Sequence, residues 1–203
     1  PINTSATTTS SNTYSLTGLN LSSLADGTLS ITADVSDLAG NPATQATDTT
    51  TKDTASPTIS VAINDGGDGF LNAAEVGSVT IAGTTSGVAD GQTVAINISS
   101  SAGGTPINTT ATTSSNTYSL SNLDLSSLAD GTLSITADVS DLAGNPATQA
   151  TDTSTKDTAS PTISVAINDG GDGFLNAAED SSVTIAGTTS GVADGQTVAI
   201  NIS

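Results

Sequence analysis

The sequence predicts an all-β chain of β-sandwich repeats in tandem, with about seven strands to each repeat. Three observations carry this reading. Apolar residues alternate with polar ones at a period of two, the spacing of half-buried strands and not of helices. Residues 12–99 match residues 116–203 at 82 of 88 positions, an offset of 104, which is the size of a small domain and longer than a solenoid unit. Clusters of Gly, Asp, Asn and Pro punctuate the alternating runs.

The phase of the repeat follows from DTASP, which occurs at Asp53–Pro57 and again at Asp157–Pro161. Each copy follows a polar run, TDTTTK or TDTSTK, and precedes the alternating TISVAI. Proline at a strand entry after a polar stretch marks a domain start. One complete repeat is therefore expected at 53–156. Residues 1–52 would be the last four strands of a preceding repeat, and 157–203 the first three of a following one. The chain reads as a piece of a longer array.

Within 53–156 the strands are read in order. Ile59, Val61 and Ile63 form the first, Val79 and Ile81 the second, and Val94, Ile96 and Ile98 the third. The Thr-rich INTTAT at 107–112 is a weaker fourth, suited to a sheet edge. Tyr118 and Leu120 mark the fifth, and Leu133, Ile135, Ala137 and Val139 the sixth. ATQATDT at 147–153 is a second weak, edge-type strand, and LDLSSL before the sixth has the makings of a short helical turn. Seven strands in about 100 residues point to an immunoglobulin-like sandwich. An odd number of passes brings the chain in at one end and out at the other. The first, third and fifth connections then lie at the exit end.

Composition limits what such a repeat can do. The core must be built from Val, Ile, Leu and Ala, because the chain has two Tyr, two Phe and no Trp or Met. That suits a sheet core but not an aromatic-lined pocket. Eighteen Asp and two Glu against Lys52 and Lys156 give a net charge of −18. This argues against nucleic acid and anionic membrane as partners and for a bound cation. No run is long enough to insert in a membrane. With no His or Cys, and no Ser or Thr beside an evident base, the residues predict no enzyme.

The acids concentrate in NDGGDGFLNAAE, Asn64–Glu75, which returns at Asn168–Glu179. It is not an EF-hand: Gly66 occupies a ligand position, and strand-patterned residues stand where a helix is needed. Nor does it repeat every nine residues, as a calcium-binding β-helix would require. What remains is a Gly-flexible loop whose Asp65, Asp68 and Glu75 offer hard oxygen ligands suited to Ca2+. As the first connection, it sits beside the linker to the next repeat. Asp152 and Asp157 are expected in that linker, and an acid equivalent to Asp141 in the facing turn of the next repeat. Two carboxylates about 6 Å apart in water repel by about 0.7 kcal/mol, so such a cluster favours a divalent cation. The expected metal positions are Asp48, Asp53, Asp65, Asp68, Glu75, Asp141, Asp152, Asp157, Asp169, Asp172 and Glu179.

DTASPTISV, DGFLNAAE, VTIAGTTSGVADGQTVAI and SLADGTLSITADVSDLAGNPA, in that order, resemble the bacterial Ig-like repeats of giant type I-secreted, RTX-type adhesins. The resemblance covers the whole chain. It implies an extracellular stalk at the bacterial cell surface, in which many copies hold a ligand-binding region away from the cell and calcium stiffens the joints. The linker Asp and the loop acids are the matching positions.

Two further expectations complete the reading. The Thr tracts ATTTSSNT and ATTSSNT raise a second function, a surface for carbohydrate or ice, although they are short for the regular array this needs. The partners expected are neighbouring repeats of the same protein. Residues 157–203 of one chain would complete residues 1–52 of the next, head to tail.

Overall fold

A computed structural model describes all 203 residues. No helix forms. The residues with the strictest alternation build the longest strands of the middle repeat. These are β6 (Val79–Ser86), β7 (Thr93–Ser100) and β10 (Gly131–Asp138). In β7, Val94, Ile96 and Ile98 turn inward while Thr93 and Ala95 face out, as a pleated backbone requires.

Two sheets enclose the core. One contains β5 (Phe70–Leu71), β11 (Ala150–Lys156), β10, β7 and β8 (Ile107–Thr112), in that spatial order. In the other, β6 pairs with β3 (Thr58–Ile59), β4 (Ala62–Asn64) and β9 (Thr117–Leu123). The result is an immunoglobulin-like β-sandwich. Between the sheets lie Leu133, Ile135 and Ala137 of β10, the inward residues of β7, Val79 and Ile81 of β6, and Tyr118 of β9. Leu125 and Leu128 close the exit end from a turn, which takes the place of the helical turn expected there.

The first expected strand is broken into β3 and β4, and the cause is local. At the break Ser60 Oγ accepts Thr84 N at 2.9 Å, and the Ser60 carbonyl accepts the Tyr118 hydroxyl at 2.6 Å. The side chain thus replaces a ladder bond and frees the carbonyl for the tyrosine. The register is the same on both sides of the break, with Ile59 opposite Thr85 and Ala62 opposite Ala82. A tyrosine in a strand of aliphatic residues suits core filling with its hydroxyl at the rim. Tyr118 is instead buried, and burial pushes its pKa up to about 12.

The end portions form fewer strands than expected. Residues 1–52 make only the hairpin β1 (Gly27–Ala33) and β2 (Ala46–Lys52). Residues 157–203 make only β12 (Thr162–Ile163) with β15 (Thr189–Ser190), and β13 (Ala166–Asn168) with β14 (Thr184–Ala186). The middle repeat supplies the reason. There β9 pairs only with β6, β8 only with β7, and β7 only with β8 and β10. The equivalents of those partners lie in the other end portion, so the equivalents of β7, β8 and β9 stay unformed. Pairs whose two members share an end portion survive. Unpaired, Val198, Ile200 and Ile202 are exposed, whereas their counterparts Val94, Ile96 and Ile98 are buried.

Candidate functional site at the repeat joint

The acidic loop lies where the sequence placed it, against the exit of the repeat. Leu71 is fully buried and anchors it. Its neighbour Phe70 starts β5, which runs parallel to the end of β11 with Thr155 opposite Phe70 and Lys156 opposite Leu71. Thr155 N donates to Gly69 O, and Asp157 N to Leu71 O, both at 3.0 Å. Ser154 Oγ adds a bond to Asp65 Oδ2 at 3.1 Å. The loop is thereby zipped onto the last strand and the first residue of the linker. Its glycines make this path possible: Gly66, Gly67 and Gly69 have φ of 76°, 87° and 83°.

Within the loop the acids hold turns. Asp65 Oδ1 accepts Gly67 N at 3.0 Å, Asp68 Oδ1 accepts Phe70 N at 2.9 Å, and Glu75 Oε2 accepts Asn72 N at 3.0 Å. Asp169, Asp172 and Glu179 repeat these bonds in the second copy. Asp53 and Asp157 each cap the amide two residues on, Ala55 and Ala159, at 3.1 Å.

Other expected ligands stand elsewhere. Asp152 is a strand residue and not a linker residue. Its Oδ2 accepts Ile63 N at 2.8 Å and so ties β11 to β4 across the edge of the sandwich. Asp48 lies at the same point of β2, opposite Ile31, and bonds only the Thr49 amide. Asp141 is buried at the entry end, where it accepts Asn145 N and Nδ2, both at 2.8 Å. Those bonds, led by the Asn145 side chain, hold its carboxyl below the usual carboxylate range. No three carboxylates converge as a ready-made metal cage. The donor chemistry of the loop fits a hard cation, and Asp68 Oδ2, Glu75 Oε1 and Asp157 Oδ2 have no hydrogen-bond partner. Closing on an ion would require side chains to turn toward one another.

A second set of joint residues lies outside the acids that the sequence singles out. Asp130, in the turn before β10, faces Lys156 Nζ at 3.0 Å. Lys156 is the buried end of β11, and it also donates to Leu128 O. Asp26 faces Lys52 at 2.6 Å in the same way. The lysine, with help from Thr54, draws the Asp26 pKa down to about 2. The available signal was the spacing: each of the only two lysines follows an Asp by 26 residues.

The outer face of the five-stranded sheet is also more regular than the Thr tracts suggested. Asn108, Asn97, Thr136 and Thr151 stand in one row across four strands. Beside them is a shallow hollow of about 560 Å³ lined in part by Ala95, Thr110 and Asp138. It contains no aromatic side chain, and Asp138 already accepts Gln149 Nε2 at 2.8 Å.

No family model and no curated protein matches the chain. Solved structures do. The chain is 31% identical to a tetra-tandem repeat in the extending region of a large adhesion protein, over 93% of this chain and 45% of that one, with a TM-score of 0.50. It is 30% identical to a bacterial immunoglobulin-like domain from the M. primoryensis ice-binding adhesin, covering 96% of that domain and 49% of this chain, with a TM-score of 0.34. The chain belongs to the tandem immunoglobulin-like repeats of large bacterial adhesins. A Ca2+-stabilized adhesin with which an Antarctic bacterium binds ice is 30% identical over 82% of this chain and 41% of that one, with a TM-score of 0.42. These adhesin repeats therefore span less than half the length of the first two multi-repeat structures they match.

Proposed function

We propose that this adhesin segment is an extender: a spacer that projects a distal binding region from the bacterial cell surface and is stiffened by calcium at its joints. The observation that carries the reading is the acidic loop zipped onto its own exit linker. Chain entry and exit lie at opposite ends of the repeat, so stacked copies add length. Successive copies differ at only six of 88 aligned positions, so nothing specialises one of them for a ligand. Asp65, Asp68, Glu75 and Asp157 would hold the ion, and Asp169, Asp172 and Glu179 the next. The ion supplies charge neutralisation and ligation between loop and linker, and no catalytic step is involved.

Small-angle scattering in calcium and in EDTA tests this. Calcium is expected to lengthen the maximum dimension with little change in circular dichroism, because each sandwich has its own aliphatic core. It should also stabilise by about 2.7 kcal/mol per site at a hundredfold excess over Kd. Asp157→Ala or Glu75→Ala should reproduce EDTA at one joint. Unchanged dimensions and melting across millimolar calcium would overturn the reading.

The two end portions expose the residues that the middle repeat buries, so we further propose that a second copy supplies the missing strands. In that pairing Ile202 would lie opposite Ile31, as Ile98 lies opposite Ile135. Light scattering should then show mass rising with concentration, with a gain in sheet signal. A monomer at every concentration would exclude it.

A further inference from the structure

Two carboxylates outside the acidic loop make the same set of bonds in successive repeats. Asp26 accepts Lys52 Nζ, and also Thr54 N and Oγ1 at 2.9 Å. Asp130 pairs with Lys156 and accepts Thr158 N and Oγ1 at the same 2.9 Å. In each case the Asp belongs to a turn of the sandwich, the Lys ends the last strand, and the Thr lies two residues into the linker. One carboxylate thus fastens the linker to the repeat behind it.

The repeat ahead takes hold of the same linker. Asn145 of the middle repeat donates Nδ2 to the Asp53 carbonyl at 3.2 Å, and Asp141 fixes Asn145. Asp53 and Thr54 are therefore gripped from both sides, by Asp26 behind and Asn145 ahead. In both Asp26 and Asp130 each carboxylate oxygen already has a partner. These groups need no cation, because the lysine is built in.

We propose that Asp26–Lys52–Thr54 and Asp130–Lys156–Thr158 are metal-independent clamps, which with Asn145 set the direction in which one repeat follows another. This rests on the extender reading but not on its calcium. Joint stiffness then has two separable sources. The loop responds to calcium, whereas the clamp is present in its absence. Lys156 is nearly buried, so salt screens its pair less than it would an exposed one.

The test is the distance distribution across the first joint, read by pulsed electron spin resonance in EDTA. The chain has no cysteine, so spin labels can be placed at Ser30→Cys and Ser134→Cys, both exposed. Asp26→Asn is expected to broaden the distribution at least about twofold, toward that of a flexible linker. Thr54→Val leaves the Asp26–Lys52 pair intact and should broaden it by a smaller amount. Circular dichroism of both variants should match the parent. If both variants give the parent distribution in EDTA, the clamp is overturned. A parent distribution that ignores calcium would instead count against the calcium reading alone.

Discussion

Gly83→Ala is expected to destabilise the middle repeat by about 3 kcal/mol, through overpacking and a lost buried hydrogen bond. A Cβ at Gly83 would stand 2.0 Å from Ser60 O and 2.6 Å from the Tyr118 hydroxyl. Both are fixed: Ser60 O is backbone, and the Tyr118 ring is packed in the core. The strands must separate or the tyrosine must leave. Either way the bond that spans the break between β3 and β4 is lost. A Cβ at Gly187 would likewise stand 2.0 Å from Ser164 O in the next copy, so the constraint belongs to the repeat and not to one position. The expected fall in melting temperature exceeds about 10 °C for a domain of this size. Gly77→Ser is the control, since nothing lies within 4 Å of a Cβ there and the next copy carries Ser181. A Gly83→Ala repeat that melts with the parent would contradict this account of the break.

Leu71→Ala has a comparable expected effect, about 3 kcal/mol, as for other fully buried leucines cut to alanine. Leu71 is the one apolar residue by which the acidic loop enters the core. Its loss should also free β5 from β11, and with it the bond from Asp157 N to Leu71 O. Urea unfolding gives the first effect. Amide hydrogen exchange at Asp157, faster in the variant than global unfolding explains, gives the second. Phe70→Ala should cost far less, because Phe70 is 53% exposed. Equal losses from the two substitutions would mean that the loop is not held through Leu71.

Much of the sandwich was legible in the residues. Val79 and Ile81, Val94 to Ile98, and Leu133 to Ala137 alternate at the strand period and line the core. The turn clusters fell between strands, and the acidic loop came out beside the exit linker. β5 was not legible, since two residues hold no period and their pairing with β11 is parallel and distant. Asp152 read both as the end of a weak strand and as a linker acid, because its run is mostly polar; its pairing with Ile135 makes it a strand residue, and its bond to Ile63 N ties the sandwich edge. The ADG turns containing Asp26 and Asp130 are punctuation by their composition. Their second task needs a lysine and a threonine about 26 residues away.

By itself the sequence determined the repeat, its immunoglobulin-like strands and the end of each sandwich that carries the acids. These follow from local rules: a strand shows its two faces in alternate residues, and glycine and proline mark where the chain turns. The tertiary structure alone decided which acids meet, which are spent on amides, and which strands form. Asp65 reaches Ser154, and Tyr118 reaches Ser60, only because β-sheet pairing brings together residues 89 and 58 positions apart. The same dependence explains the ends. A strand's backbone groups need a partner from elsewhere in the chain, and without it even the residues of Val198 to Ile202 remain unpaired.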